Sequence, residues 1–327
     1  MNAPRTRVQR RPVHGVLLLD KPLGLSSNAA LQRVKWLLRA EKAGHTGTLD
    51  PLATGVLPLC FGAATKFSQL HLDADKTYEA TIRLGVKTST GDAEGEVIET
   101  RAVPAISTQR LAEVARQFTG PQRQVPPMYS ALKKDGKALY EYARAGEDVE
   151  REARDVVVYE CELAFVPACA DSVALRARVS KGTYIRTLGE EIGEALGCGG
   201  HLTALRRVAT GNFEVAQCIT LEALEALGET GRMAALLPVD ALLPDHSAVT
   251  LDEGNAGRFL SGLRRRGDWL DNELVAVYAE PPSQPSPGGG RSNTRPLLGT
   301  ARILGGELIP GRLLSPPEVA QILESNP

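Results

Sequence analysis

The chain has 327 residues, of which 43% are hydrophobic and 24% charged, and this composition is typical of a globular protein with one large domain or two moderate ones. Its five cysteines are scattered without a CxxC pair, which argues against a disulfide framework or a zinc site, and no hydrophobic run approaches the roughly 18–20 residues of a membrane span. We therefore expect a cytoplasmic protein without a metal, a cofactor or a membrane partner, and its net charge of -1 requires any nucleic-acid-binding surface to be built from local basic clusters.

Residues 1–13 form an arginine-rich segment without acidic residues. The segment lacks the apolar core and the small-residue cleavage site of a secretory signal, so we interpret it as a flexible basic arm. An Arg-rich, acid-poor sequence is also compatible with a mitochondrial presequence.

The first predicted elements are a strand and a helix. The apolar run Gly15–Leu19 ends in the turn-like Asp20–Gly24, which is typical of a buried strand. Ser26 or Ser27 is suited to cap a following helix. Apolar residues recur after this cap at helical spacing, at Ala30, Val34, Leu37 and Leu38.

The stretch Gly44–Leu57, GHTGTLDPLATGVL, surrounds a single carboxylate, Asp50, with residues that constrain the backbone. Pro51 disfavours the helical conformation at Asp50, while Gly47 can adopt backbone angles closed to other residues. The stretch is therefore predicted to be a shaped loop. On the local pattern alone, a simpler role for Asp50 is the N-cap of a helix over Leu52–Leu57, with Pro51 at its first position.

Strands and helices interleave irregularly along the next part of the chain. Alternation of apolar and polar residues predicts strands over Tyr78–Gly85 and Val173–Val179. Ser107 is suited to cap one helix, and a second amphipathic helix covers about Ile185–Leu196. Because the regular spacing of a parallel sheet or barrel is missing, the pattern favours a mixed α+β domain.

The C-terminal part, residues 246–327, has a different sequence pattern. Short apolar runs separated by Gly and Pro predict a small β-rich domain. Residues 280–296 are rich in Pro, Gly and Ser and cannot bury enough apolar surface to offset their ordering entropy, so they are predicted to be a mobile surface insert.

Several segments together resemble the TruB-type tRNA pseudouridine synthases. The loop around Asp50 is similar to the catalytic motif of that family. Other segments match in the expected order: Gly15–Gly24, Asp75–Ala80, Pro126–Lys133 with Tyr140 and Ala143–Gly146, Lys181–Leu188, and His201–Arg207. The resemblance implies a catalytic domain over residues 14–245 with the pseudouridine-synthase fold, a mixed and largely antiparallel central sheet flanked by helices and loops. It also implies a PUA-like RNA-binding domain over residues 246–327.

The resemblance identifies Asp50 as the catalytic residue. Arg186 is the candidate partner that keeps Asp50 ionised, because it lies at the start of a helix, where the helix dipole mildly disfavours a cation without a specific partner. Tyr78 is implied to stack on the target base, with a core role as the alternative. Lys21 is implied to support the active-site wall or contact a phosphate, with a solvated turn lysine as the alternative.

Five further residues are implied to bind the substrate: His45, Tyr184, Leu205, Arg206 and Arg207. His45 would act as a wedge or stacking group on the RNA, and an ordinary loop histidine is the alternative. Tyr184 and Leu205 would line the pocket, with structural packing as the alternative. The two arginines are candidates for phosphate contacts.

The implied activity is that of an isomerase that converts the uridine at conventional position 55 of the tRNA T loop to pseudouridine on a flipped-out nucleotide. A non-catalytic protein that binds or folds tRNA on the same scaffold is the alternative. A guide-RNA-dependent branch of the superfamily is a third possibility, but the charged segment Glu147–Asp155 and the domain order look more like the stand-alone branch. We therefore expect the T arm of tRNA as partner, no guide RNA, and a monomer.

Overall fold

The computed structural model describes residues 9–167, 169–281 and 295–325. Residues 1–8 of the predicted basic arm and residues 282–294 of the predicted insert lie outside the described residues. At the end of the predicted arm, Arg11 forms an isolated β-bridge with Ala40 and Val13 is buried in the core. No helix in the described part of the chain combines the length and the apolar character that crossing a bilayer would need.

The larger part of the molecule, up to about residue 245, mixes strands and helices. Its strands are β1 (Gly15–Lys21), β2 (Ala43–His45), β3 (Ala53–Phe61), β4 (Lys76–Leu84), β5 (Val86–Thr88), β6 (Val97–Thr100), β7 (Gly120–Gln124), β8 (Lys133–Lys134), β9 (Lys137–Ala138), β10 (Arg154–Val166), β11 (Cys169–Val179), β12 (Gly200–Thr210), β13 (Phe213–Glu214) and β14 (Ile219–Thr220). Its α-helices are α1 (Ser27–Leu37), α2 (Ser68–Leu72), α3 (Thr108–Phe118), α4 (Leu139–Arg144), α5 (Ile185–Ala195), α6 (Leu221–Ala226) and α7 (Glu229–Ala234), and short 3-10 helices cover Gly62–Lys66, Val215–Gln217 and Val239–Leu242.

These strands build a ten-stranded central sheet with the order β14-β1-β3-β12-β4-β11-β10-β7, in which β2 also pairs with β3 and β13 with β12. The pairs β1–β14 and β3–β12 are parallel and the others are antiparallel. The predicted α+β class with a mixed, largely antiparallel sheet is therefore confirmed.

The C-terminal part forms a second, five-stranded sheet with the order β15-β17-β18-β19-β16. Its elements are β15 (Ser247–Leu251), α8 (Glu253–Leu260), β16 (Arg265–Arg266), β17 (Asn272–Ala279), β18 (Leu297–Leu304), β19 (Glu307–Leu313) and α9 (Pro316–Ser325). This confirms the prediction of a small β-rich C-terminal domain, whose arrangement is consistent with a PUA-like fold.

Two hydrophobic cores lie on opposite faces of the central sheet. The first core packs α1, α3 and α5 against one face and includes Val34, Leu111, Leu188, Ile82 and Leu57. The second core packs the other face of β1 and β3 against the C-terminal domain through residues such as Val16, Val56, Ala276, Leu297 and Leu314. The C-terminal domain is thus joined to the central sheet by continuous apolar packing.

Local sequence signals explain several of these elements. Ser26 and Ser107 each accept a hydrogen bond from the backbone of the helix that they cap, at 3.1 Å in both cases, as predicted. The alternative helix over Leu52–Leu57 is wrong, because Ala53–Phe61 forms β3, which lies between β1 and β12. In a short run in which nearly all residues are apolar and buried, the spacing of apolar residues does not distinguish a strand from a helix.

Candidate active site

Residues 46–52, called here the Asp50 loop, connect β2 to β3 and are fixed on both sides of Asp50. Before it, the backbone N–H of Leu49 donates to Ser27 Oγ at 2.7 Å and Ser27 Oγ donates to the Leu49 carbonyl at 3.0 Å. After it, Gly24 N–H donates to the Pro51 carbonyl at 2.9 Å. The Asp50 backbone is therefore held before any ligand arrives, which is the preorganisation that a catalytic or binding carboxylate needs.

The contribution of the Ser27 contacts to stability can be tested directly. Replacing Ser27 with Ala leaves the buried N–H and carbonyl of Leu49 without their partner, and each unsatisfied buried group costs about 1–3 kcal/mol. We expect Ser27→Ala to lower the free energy of unfolding in urea by about that amount. The neighbouring exposed residue offers a control, because Asn28→Ala should change stability by less than about 0.5 kcal/mol. Equal stabilities for the two variants would contradict this role.

Arg186 lies beside Asp50. Its Nη2 is 3.0 Å from Asp50 Oδ2, and the guanidinium also donates to the backbone carbonyls of Thr90 at 3.0 Å and Tyr129 at 2.6 Å. Arg186 is only 5% exposed and occupies the first turn of α5, as the sequence predicted. The unfavourable interaction with the helix dipole is therefore offset by a specific carboxylate partner.

Asp92 is a second carboxylate that the sequence analysis missed. Its Oδ2 lies 3.6 Å from Arg186 Nε, and its Oδ1 accepts from Thr90 Oγ1 at 2.5 Å and from the backbone of Glu94 at 3.0 Å. The residue is buried in a turn between β5 and β6. Asp and Gly are ordinary turn residues, so no signal in the sequence distinguished this aspartate from others.

The Arg186 guanidinium thus lies between two carboxylates, those of Asp50 and Asp92, and the three side chains form a row. The Asp50 side chain remains 40% exposed, whereas those of Arg186 and Asp92 are nearly inaccessible. Burial raises the pKa of Asp50 above its ordinary value, the Arg186 charge opposes that rise, and the Asp92 charge adds to it. Asp50 is the member of the row that a ligand can reach.

The accessible side of Asp50 opens into a cavity of about 420 Å³, within the usual size range of small-molecule pockets. Besides Asp50, five of the predicted residues line it: Tyr78, Tyr184, Arg186, Leu205 and Arg207. Asp50 also borders an adjoining cavity of about 530 Å³, which includes His45. The structure therefore brings Asp50, Arg186, Tyr78, Tyr184 and Leu205 together around one opening, with His45 on the neighbouring side.

Lys21 is fully buried beneath this opening. Its ammonium donates to the carbonyls of Pro22 at 2.9 Å and Leu25 at 2.6 Å, and it lies 3.5 Å from that of Pro51. Burial lowers the pKa of Lys21 to about 8. Of the two roles suggested by the sequence, these contacts correspond to support of the wall, since a buried ammonium presents no surface to a phosphate.

His45 lies in β2 and is half-buried, and burial lowers its pKa below the ordinary value for histidine. At neutral pH the ring is therefore the neutral form, which suits stacking better than ion pairing.

The two candidate arginines of β12 point to opposite faces of the central sheet. Arg206 is partly exposed and forms a bidentate pair with Asp20, with distances of 3.1 and 2.7 Å. Arg207 is 1% exposed and lines the 420 Å³ cavity from inside the protein. The predicted phosphate-contact role is open to Arg206 only after it leaves Asp20, and the burial of Arg207 gives it no phosphate-accessible surface.

Comparisons with known proteins agree with this architecture. Residues 35–185 match the family described as TruB family pseudouridylate synthase (N terminal domain), and residues 186–244 match tRNA pseudouridylate synthase B C-terminal domain. The chain is 62% identical to tRNA pseudouridine synthase B of Verminephrobacter eiseniae (strain EF01-2), over 99% of this chain and 96% of that protein. It is 56% identical to the protein of the same name from Cupriavidus metallidurans, over 94% of this chain and 96% of that one.

Solved structures give the same fold. A chain in a crystal structure of a Cbf5-Nop10-Gar1 complex is similar with a TM-score of 0.65 and 25% identity, covering 94% of this chain and 87% of that chain. A chain in an H/ACA RNP bound to a substrate RNA containing 2'-deoxyuridine also has a TM-score of 0.65, with 23% identity, covering 94% and 86% of the two chains.

Proposed function

Because this chain belongs to the TruB family of pseudouridylate synthases, we propose that it converts a uridine in the T loop of tRNA to pseudouridine, with Asp50 as the nucleophile. The observation that carries the proposal is the Asp50–Arg186 pair at 3.0 Å, which opens on a cavity lined by Tyr78, Tyr184 and Leu205. A single accessible carboxylate next to a fixed cation is sufficient for this isomerisation, which consumes no second substrate.

The reaction breaks the bond between N1 of uracil and C1' of ribose, turns the base within the site, and forms a bond from C5 to C1'. A proton leaves C5 and a proton is gained at N1, so the composition of the nucleotide is unchanged. Asp50 can attack C1', attack the base, or remove a proton from the sugar to form a glycal. Each of these three routes requires the ionised carboxylate, and Arg186 favours that form.

The cavity walls supply the means to hold the base during this turn. Tyr78 lies on the inner side of β4, and Leu205 lies on the neighbouring strand β12, so an aromatic and an aliphatic side chain adjoin the same space. Stacking on an aromatic ring contributes roughly 1–3 kcal/mol per base, comparable to the few kcal/mol needed to flip a nucleotide out of a stack. A flipped uracil is therefore the ligand that these walls fit.

We propose that the RNA partner is the T arm of tRNA and that the protein acts as a monomer without a guide RNA. The relatives of similar length carry the name tRNA pseudouridine synthase, and the chain covers nearly all of them. The proteins in the similar solved structures belong to assemblies with Nop10 and Gar1. Their identity to this chain is far lower than that of the stand-alone relatives.

An unmodified T-arm stem-loop tests the proposed activity. The protein is incubated with this RNA alone, and pseudouridine is then mapped by its specific chemical adduct. We expect one adduct, at the T-loop uridine, and none on a stem-loop that carries cytidine at that position. The alternative function, tRNA binding or folding without catalysis, predicts binding of both RNAs and no adduct on either.

The pH dependence of the reaction follows from the ionisation of Asp50. Burial raises the pKa of Asp50 above the ordinary value of ~3.9 for a free Asp. The active, ionised fraction of Asp50 therefore falls as the pH decreases through this raised pKa. We expect kcat/KM for the stem-loop to rise with pH along an acid limb of unit slope. Circular dichroism at each pH separates this limb from acid unfolding. A kcat/KM that is independent of pH down to about 4 would contradict the proposed role of Asp50.

A further inference from the structure

Two further buried cations line the 420 Å³ cavity in addition to Arg186. Arg207 is the largest of the fully buried side chains and is 1% exposed, and Lys76 is 8% exposed. Both line the same cavity as Asp50. Buried charges are normally paired, so two like charges on one cavity wall require an explanation.

The Arg207 guanidinium makes few hydrogen bonds. Its Nε donates to the Val56 carbonyl at 2.7 Å, and within the described residues its buried Nη2 has no hydrogen-bond partner. A guanidinium carries five N–H donors, and leaving a charged donor without a partner is costly. The site therefore holds donor capacity that the protein alone does not use.

Lys76 is similarly short of negative partners. Its ammonium donates to the backbone carbonyls of Leu72, at 2.7 Å, and Ala74. The charges of Asp73 and Asp75 favour the protonated form of Lys76, but the direct ion pairs of these acids are with other cations, Asp73 with Lys181 at 3.0 Å and Asp75 with Arg178 at 3.1 Å. Burial, and then the Arg207 charge, lower the pKa of Lys76 to about 8, so it remains mainly protonated at neutral pH.

The strand register sets these cations beside the proposed base platform. Arg207 is the direct partner of Tyr78 in the antiparallel pair of β12 and β4. Lys76 lies on the same inner face of β4 as Tyr78, and Leu205 lies on the same face of β12 as Arg207. A base held against Tyr78 and Leu205 would therefore have the two cations next to it.

The Asp50 loop and β3 lie close to Arg207. Gly55 pairs with Arg207 in the parallel β3–β12 register, and a Cβ at Gly55, where φ is +100°, would collide with the Arg207 carbonyl oxygen. A Cβ at Gly47, where φ is +106°, would lie 3.6 Å from Arg207 Nη1. Gly55 therefore lets β3 approach the backbone of Arg207, while the guanidinium lies close to Gly47 in the loop that carries Asp50.

We propose that Arg207 and Lys76 form a cationic wall of the base cavity and stabilise the negative charge of the detached uracil during the isomerisation. This inference rests on the proposed function. When the N1–C1' bond breaks, its electron pair stays with N1 and is delocalised onto the uracil carbonyl oxygens, while C1' bonds to Asp50 or the sugar gives up a proton to Asp50. Fixed cations that are themselves buried lower the energy of that anion.

A backbone phosphate is the other source of negative charge in this substrate. The burial of Arg207 argues against it, because a phosphate would have to lose its hydration and pass through the space assigned to the base. The two sources predict different results, since a phosphate contact contributes to RNA affinity, whereas stabilisation of detached uracil contributes to the rate at saturating enzyme.

The test compares Arg207→Met with the wild type on two stem-loops, one with uridine and one with 5-fluorouridine at the target position. Fluorine makes the detached base a weaker base, so its anion needs less stabilisation. We expect Arg207→Met to lower the single-turnover rate of N-glycosidic bond cleavage by about 10- to 100-fold on uridine and by clearly less on 5-fluorouridine, with the RNA dissociation constant changed by less than about 2-fold. Lys76→Met provides a second variant with the same expected pattern if Arg207→Met does not fold.

Arg176→Met is the matched control. It removes one positive charge from the outer face of the same sheet, where Arg176 pairs with Glu79 at 2.6 Å outside the base cavity. We expect it to leave both rates within about 2-fold of the wild type.

Three results would overturn the proposal. An equal loss on both RNAs would mean that the cations only maintain the structure. A loss confined to RNA affinity, with the log–log salt slope reduced by about 0.7, would mean that they bind a phosphate. The wild-type protein distinguishes a failure of this inference from a failure of the proposed function. If the wild type forms no pseudouridine, the proposed function is rejected. If the wild type turns over normally and the variants are unaffected, only the role of the cations is rejected.

Discussion

Replacing Asp50 with Asn should abolish turnover while leaving RNA binding intact. The substitution keeps the size of the side chain but removes the ionised carboxylate, which acts as nucleophile or base in each of the three proposed routes. We expect the single-turnover rate of pseudouridine formation to fall by at least about 10⁴-fold, the scale seen when a catalytic nucleophile is removed. The backbone contacts of Leu49 and Pro51 hold the loop independently of this side chain, so its conformation should persist.

The measurement requires both rate and affinity. The dissociation constant for the T-arm stem-loop should stay within about 3-fold of the wild type, because the substitution keeps the shape of the side chain and changes one group in a large interface. Asp171→Asn is a matched control, since it removes an exposed carboxylate on the outer face of the sheet. Turnover by Asp50→Asn within tenfold of the wild-type rate would reject Asp50 as the nucleophile.

Replacing Arg186 with Met should have the second-largest effect. The change removes the ion pair with Asp50 and leaves Asp50 and Asp92 near each other without the cation between them. Like charges raise each other's pKa, so less Asp50 is ionised and its position is no longer fixed. We expect a loss of about 10³-fold in the single-turnover rate at neutral pH. The acid limb of the pH profile should also move to higher pH than in the wild type.

Two further variants separate charge from geometry. Arg186→Lys keeps the charge but cannot reproduce the planar contacts to Asp50, Thr90 and Tyr129 together, so it should recover only part of the rate. Adding Asp92→Asn to Arg186→Met removes the competing carboxylate and should move the acid limb back toward lower pH. Near-normal rates in both single variants of Arg186 would reject the proposed role of this residue.

The fold could be predicted from the sequence where a helix or strand has one apolar and one polar side. α3 has a serine cap and an apolar stripe, and β4 alternates strictly between buried and less buried residues. β3 was harder to predict, because nearly all of its residues are buried and its apolar residues show neither helical nor strand periodicity. Its position between β1 and β12 depends on pairing with distant segments, which a local pattern does not contain.

The candidate site could be predicted only in part, because some of its residues lie in recognisable segments and others act through contacts between distant segments. Asp50 and Arg186 belong to segments that resemble a known family, and the structure brings them within 3.0 Å. Ser27 and Asp92 act through contacts across the fold and have no distinctive neighbours in sequence. Arg206 and Arg207 were treated alike, although adjacent residues of a strand face opposite sides, and this alternation would have separated their environments.

β3 belongs to both hydrophobic cores at once. Val56 and Cys60 face the C-terminal domain, whereas Leu57 and Leu59 face the helices on the opposite side. A strand enclosed in this way cannot leave one layer without exposing the other, so the two sheets gain and lose their order cooperatively. The C-terminal domain and the candidate site are in this sense mechanically coupled, and we expect a perturbation at either to be transmitted through β3, which begins three residues after Asp50.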